Sequence, residues 1–266
     1  MTKFRRAHGR ERTDLERLSW AEKKLIACAA RGRECVLGTT PPARPTRRNT
    51  IRPALIRFLA LGGDSGTPVH EKGIHLKGAF VGAIHDEGTS PTLDFQACSL
   101  PSCLWLTNCR FDAAINLVDT RGPSIGFNGS AISRIVGDRL TLEGNLHLRQ
   151  VHVTGEARFL GAKINGDLDC DGGQFENPLE TALNCDAADI GGYVLLRRAI
   201  VIDSAHGLIR STSYCPWYIS DKQRTGHQSR LAISSHLATG FDELYGLKKS
   251  SAGLRHSRLA QLRRVL

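Results

Sequence analysis

Residues 63–68, Gly-Asp-Ser-Gly-Thr-Pro, have the pattern of a serine-protease nucleophile loop. There a serine attacks a carbonyl while a histidine, oriented by a buried aspartate, takes its proton. The chain order needed is His, Asp, Ser, yet the only histidine before Ser65 is His8, in a basic start with no room for a preceding barrel. The pattern therefore reads as a turn. His70, His75 and His85, with Glu71 and Asp86 beside them, make a second group with metal-ligand chemistry. Their H-E-x-x-x-H spacing is not the H-E-x-x-H that sets two ligands on one helix face, so they read as polar residues of a first coil. Asp167, Asp169 and Asp171 alternate in DLDCD. On a strand this spacing shares a face, and a row of carboxylates suits calcium, but the later glutamate of a calcium loop is missing and a solvated face is expected. Cys98, Cys103 and Cys109 are five and six residues apart. Zinc ligands come as closer, repeated pairs, so these cysteines are expected to be small buried thiols.

Cofactor chemistry finds no anchor either. G-x-G-x-x-G within a βαβ unit, redox-active C-x-x-C and the haem-attachment C-x-x-C-H are all absent from the 266 residues. No catalytic residue and no metal ligand is expected, no cofactor-binding residue is assigned, and no cofactor is expected. The eight cysteines, without a secretory signal, do not suggest a disulfide framework. The start is charged and lacks an apolar stretch, and no run approaches the ~20 apolar residues of a membrane-spanning helix. A cytoplasmic location is expected. The sequon Asn128-Gly129-Ser130 has no consequence without a secretory route.

The elements that would carry these residues follow from spacing. Residues 13–30 are amphipathic, with Leu15, Leu18, Leu25 and Ile26 near helical period, and Ser19 with Glu22 fits a capping box. Arg31-Gly32 is the expected stop. Residues 39–48 form a Pro- and Arg-rich connector, and a second helix is expected over about 49–61, ended by Gly62-Gly63. From there a small residue, a variable one and a larger apolar one recur: Ala79-x-Val81, Cys98-x-Leu100, Cys109-x-Phe111, Ala113-x-Ile115, Ser130-x-Ile132, Ala157-x-Phe159, Ala162-x-Ile164, Gly173-x-Phe175 and Ala188-x-Ile190. The separations are near multiples of five, which neither a helix nor a hairpin produces. Five residues make one side and one corner of a square coil, so about 20 close a turn, and turns stack at ~4.8 Å through parallel ladders. GAKINGDLDC (161–170) and AADIGGYVLL (187–196) are the clearest copies, and FENPLETA (175–182) is expected to loop out.

The segments IRPALIRFLALGGD, PVHEKGIHLKGA and FLGAKINGDLDCDGGQFENP resemble a bacterial family of pentapeptide-like repeats, over roughly residues 14–200. The fold expected is mainly β: a right-handed, quadrilateral, pentapeptide-repeat-like β-helix with an N-terminal two-helix cap. The expected layout is a basic helical cap region over 1–62, the β-helix over 73–200 and a basic, divergent or partly disordered tail over 207–266. The resemblance implies membrane-associated oxidoreductase activity, because family members often carry that label. The residues themselves point to a non-catalytic scaffold that binds a protein partner through its coil faces.

Charge partitions sharply. Residues 1–60 hold 15 Lys+Arg against 5 Asp+Glu, residues 61–206 hold 11 against 18, and residues 207–266 hold 10 against 3. Basic ends flank an acidic middle, which is not the profile of a uniform nucleic-acid groove, and no specific nucleic-acid binding is expected. The ends are candidates for peripheral contact with an anionic inner-membrane surface, or solvated caps that stop open coils from polymerising. The acidic middle admits a third role, mimicry of DNA to inhibit a DNA-binding enzyme.

Overall fold

The computed structural model describes residues 15, 17–82, 91–203 and 207–210. Short strands form four parallel sheets, the walls of a β-solenoid of about five turns with two helices at its first end. Face 1 holds Cys35–Val36, Ile74–Lys77, Leu104–Thr107, Ile125–Gly126, Leu146–His147, Leu168–Asp169 and Val194–Leu195, in that spatial order. Face 2 runs from Thr50–Ile51 through Phe80–Val81, Arg110–Phe111, Ala131–Ile132, His152–Val153 and Gln174–Asn177 to Ile200–Asp203, with Gly207–Arg210 added antiparallel. Face 3 has five strands, from Leu93–Asp94 to Leu183–Asn184, and face 4 has four, from Arg121–Gly122 to Asp189–Ile190. Ser99 extends face 4 by a bridge to Arg121. The parallel ladder begins at Cys35, well before residue 73, because the first two strands pair with the coil that follows.

Each wall sends every second residue inward, as strand geometry requires. On face 1, Leu104, Ile125, Leu146, Leu168 and Val194 stack as one buried column, matched residue for residue by parallel pairing. Burying such columns is the main stabilising term at ~25 cal/mol per Å². The small-x-large pattern is met at Ala79, Cys109, Ser130 and Ala199 on face 2 and at Ala162 and Ala188 on face 4, while Val151 and Leu140 put a larger residue at the same position. On face 3 Ala157-x-Phe159 follows the pattern, whereas Ile115-x-Leu117 there and Ile125-x-Phe127 on face 1 bury two larger residues. Ala113 is consequently not a buried small partner of Ile115, and Cys98 is only half-buried. The buried Ser130 hydroxyl is satisfied, its Oγ accepting from Cys109 N and donating to Leu106 O at 2.9 Å.

Two corner columns carry left-handed backbone: Asn108, Gly129, Gln150, Gly172 and Arg198 after face 1, and Ala97, Asp119, Arg139, Gly161 and Ala187 after face 3. The backbone thus repeats once per turn even where side chains do not. The four extra residues of the 168–193 turn lie between Phe175 and Leu183, where Leu179 projects into solvent at 86% exposure. That is the loop expected from FENPLETA.

The first helix, α1, spans Trp20–Ala29, shorter than the amphipathic pattern. Its capping box forms as expected: Ser19 Oγ accepts from Glu22 N at 3.1 Å, and Glu22 Oε2 accepts from Ser19 N at 2.9 Å. The second, α2, spans Pro53–Ala60, not 49–61. Pro53 suits a first helical position, while Thr50–Ile51 is drawn into face 2 by its ladder with Phe80–Val81. Helix α2 stands where face 3 would begin, burying Leu55, Ile56, Phe58 and Leu59 over the first coil and packing on Leu93–Asp94. No helix among the described residues is long and apolar enough to cross a membrane.

Candidate functional site

Parallel pairing puts every outward residue of face 1 in line with its counterparts. One such line reads His75, Trp105, Gly126, His147, Asp169, Leu195. Gly126 has no side chain, so the Trp105 indole lies over it, with Cε3 only 2.4 Å from where a Cβ would be. The indole thereby reaches across two coils. Its centroid is 5.1 Å from the His147 ring and 6.3 Å from that of His75. Beyond His147 sits the buried Asp169, whose Oδ2 lies 3.7 Å from both His147 Nδ1 and Arg149 Nη1. His75 Nε2 is held at 3.1 Å from Lys72 O. The result is an aromatic strip on a rigid wall, bordered by imidazoles, a guanidinium and a shielded carboxylate.

The residues singled out by spacing fall in separate places. Gly63–Asp64 and Thr67–Pro68 form an antiparallel hairpin, and Asp64 Oδ1 accepts from Gly66 N at 3.0 Å. Gly63 has φ +69°, and a Cβ there would stand 2.1 Å from Thr67 O. The Gly-Asp-Ser-Gly pattern is thus turn chemistry. His70 is engaged elsewhere: its Nδ1 accepts from Lys72 N at 3.1 Å, and its ring fills the space beside Gly32. His75 belongs to the aromatic strip, and His85 and Asp86 lie outside the described residues.

The three carboxylates of DLDCD have three different jobs. Asp167 Oδ1 accepts from Tyr193 N at 2.8 Å, continuing a corner ladder in which Ser124 Oγ accepts from Asn145 N and Asn145 Oδ1 from Asp167 N. Asp169 faces the strip, and Asp171 accepts from Arg197 Nε at 2.7 Å. Among the described residues, no three His, Cys, Asp or Glu side chains come together as metal ligands. His147 and His152 occupy exterior coil positions, as their spacing implies. Trp105 and Gly126 were not singled out by sequence. Their link is a lateral register, and only the coil closure reveals it.

The described cysteines are free thiols. Cys109, Cys170 and Cys185 line the core, but Cys98 and Cys103 are half-buried and do not stack with Cys109. Burial pushes the Cys109 and Cys185 thiols up to about 12 and raises Cys170 well above its ordinary value. Cys35 is likewise pushed to about 12, chiefly by burial and then by neighbouring Cys28. All four thiols are therefore expected to resist alkylation at pH 8 in the folded chain. The sign on stability follows: from the ordinary 9.0 upward the unfolded chain releases these protons while the folded chain keeps them. The stability of each site is intact below pH 9 and lost towards pH 12, at ~1.4 kcal/mol per unit and thiol. Urea midpoints of the wild type and Cys185→Ala, taken either side of pH 9, measure it; an identical decline in both would exclude this cause.

Fold and strip together define a β-solenoid with two helices and an outward aromatic strip on one wall. No protein-family model, no curated protein and no solved structure matches the chain.

Proposed function

We propose that the stack is a right-handed solenoid of the pentapeptide-repeat type and serves as a non-catalytic scaffold, binding a protein partner on face 1. The observation that carries this reading is Trp105. It is one of only three tryptophans in the chain, and its indole lies on the outer side of face 1, across Gly126 and between two imidazoles. Large rigid aromatics beside arginine are the side chains in which interface energy concentrates. A wall of short paired strands keeps them in place, so little ordering cost is added on binding.

The test compares the wild type, Trp105→Ala and Lys163→Ala, a change on face 4, as baits for cross-linking and affinity measurement with recovered partners. Loss of the central anchor is expected to weaken binding at least ~30-fold, with Lys163→Ala near wild type. Equal binding by all three would remove face 1 from the reading. A flavin, nicotinamide or haem spectrum in the purified chain would replace the scaffold by an enzyme.

A further inference from the structure

Four wall arginines of the described residues are neutralised by carboxylates of a neighbouring coil: Arg134 by Glu156, Arg139 by Asp119, Arg158 by Asp138 and Arg197 by Asp171. The connector between the first two strands differs. From Cys35 to Gly63 there is no Asp or Glu but five arginines. Two of these are engaged, Arg52 by Glu22 and Arg57 by the Asp94 carbonyl at 2.9 Å. Arg44, Arg47 and Arg48 are exposed, and among the described residues none of them forms an ion pair.

These three side chains stand on a fixed loop. Thr46 N donates to Asn49 Oδ1 at 2.7 Å, Asn49 Nδ2 donates to Arg44 O at 3.2 Å, and Thr50 N donates to Thr46 O. The coils hold the same loop from outside, through Asn108 Nδ2 to Thr39 O at 2.6 Å and Arg110 Nε to Pro42 O at 2.7 Å. A pinned backbone carrying unneutralised guanidinia is prepared for an anion, since the loop's ordering cost is met in advance. Guanidinium forks match phosphate oxygens two at a time.

We propose that Arg44, Arg47 and Arg48 form a contact site for the phosphodiester backbone of nucleic acid, recognised by charge and not by base sequence. This goes beyond the scaffold reading and uses a different surface. Closely repeated phosphates offer all three guanidinia a partner at once. A lipid surface fits less well, because the exposed neighbours Ala43 and Pro45 supply no large apolar group to insert, and firm attachment to membranes takes a second signal. The acidic walls confine contact to about three phosphates, so the affinity is modest and strongly salt-dependent.

The full chain and its Arg44→Gln/Arg47→Gln/Arg48→Gln variant are titrated with a labelled duplex between about 50 and about 200 mM salt. Three lost phosphate contacts make the salt slope of log K shallower by about 2.7 in the triple variant, and by about 0.9 in each single variant. The loss is the same for duplexes of unrelated sequence, with an unchanged circular dichroism spectrum. An unchanged slope in the triple variant would overturn the site, since residues 1–18 or 207–266 would then carry any binding. So would absence of duplex binding by the wild type, or arginine-dependent binding found only with phosphatidylserine vesicles or polyglutamate. The Trp105→Ala comparison is independent of all these outcomes.

Discussion

Phe159→Ala is expected to lower the unfolding free energy by about 3–5 kcal/mol, the range for emptying a buried aromatic site. Phe159 is fully buried on face 3. Its ring leans towards the previous coil, where Gly137 leaves room: a Cβ on Gly137 would stand 2.7 Å from Phe159 Cδ1. Neither neighbour in the inward column can refill the gap, because one is Gly137 and the other the small Cys185. The cavity therefore persists, and the cost belongs at the upper part of the range. Urea denaturation reads it as a lower midpoint. In a stack where each coil contacts only its neighbours, a reduced slope would show the coils beyond the cavity unfolding separately. A change below about 1 kcal/mol would mean that the coils collapse around the gap and that the column packing is not specific.

The second large effect is electrostatic. Glu22 on α1 and Arg52 at the start of α2 form a buried, two-pronged ion pair, with Nε to Oε1 at 2.7 Å and Nη2 to Oε2 at 3.0 Å. Glu22 also accepts from the Arg52 backbone N at 3.3 Å and closes the capping box on Ser19. One carboxylate thus joins both helices of the cap. Glu22→Ala takes the two-pronged carboxylate from a buried guanidinium and Arg52→Ala the guanidinium from a buried carboxylate, each expected to cost about 3–5 kcal/mol. Replacing both, as Glu22→Leu/Arg52→Met, is expected to cost far less than the two alanine changes combined, because the desolvation penalty leaves with the charges. Thermal unfolding of the three variants measures the coupling. Additive losses would show that the two charges are solvated separately and do not tie the cap.

How much of this was legible beforehand depends on the range of the signal. The capping box at Ser19 and Glu22 was legible because both partners sit within one helical turn. So was the correspondence of GAKINGDLDC with AADIGGYVLL: the structure sets Lys163 against Asp189 and Leu168 against Val194 in adjacent coils. The insert ending at Ala182 was marked by its proline. The second helix was drawn too long, because Ile51 fits the apolar spacing of α2, whereas β-branched Thr50–Ile51 forms a strand paired with Phe80–Val81. Ala113 was misplaced for a similar reason. A small-x-large rule written for all four sides holds for Ala157-x-Phe159 on face 3 but fails for Ile115-x-Leu117 there and for Ile125-x-Phe127 on face 1, where both inward residues are large.

The sequence by itself determined the repeat, its near-five-residue step, the helical start and the alternation of basic and acidic segments. Each is a local property, set by side-chain size, periodicity or charge along a short stretch. Only the tertiary structure decided which residues meet across coils. Closure of the turns from Leu104 onward in 21, 22 or 26 residues places Trp105 over Gly126 and beside His147, and Arg158 against Asp138. It also gives the three carboxylates of DLDCD unrelated partners. The physical reason is that the turns differ in length, and pairing with the neighbouring coil decides which extra residues are absorbed at a corner or loop out, as four do between Phe175 and Leu183 while Leu168 still meets Val194. The lateral register is settled between coils, and no single stretch of sequence contains it.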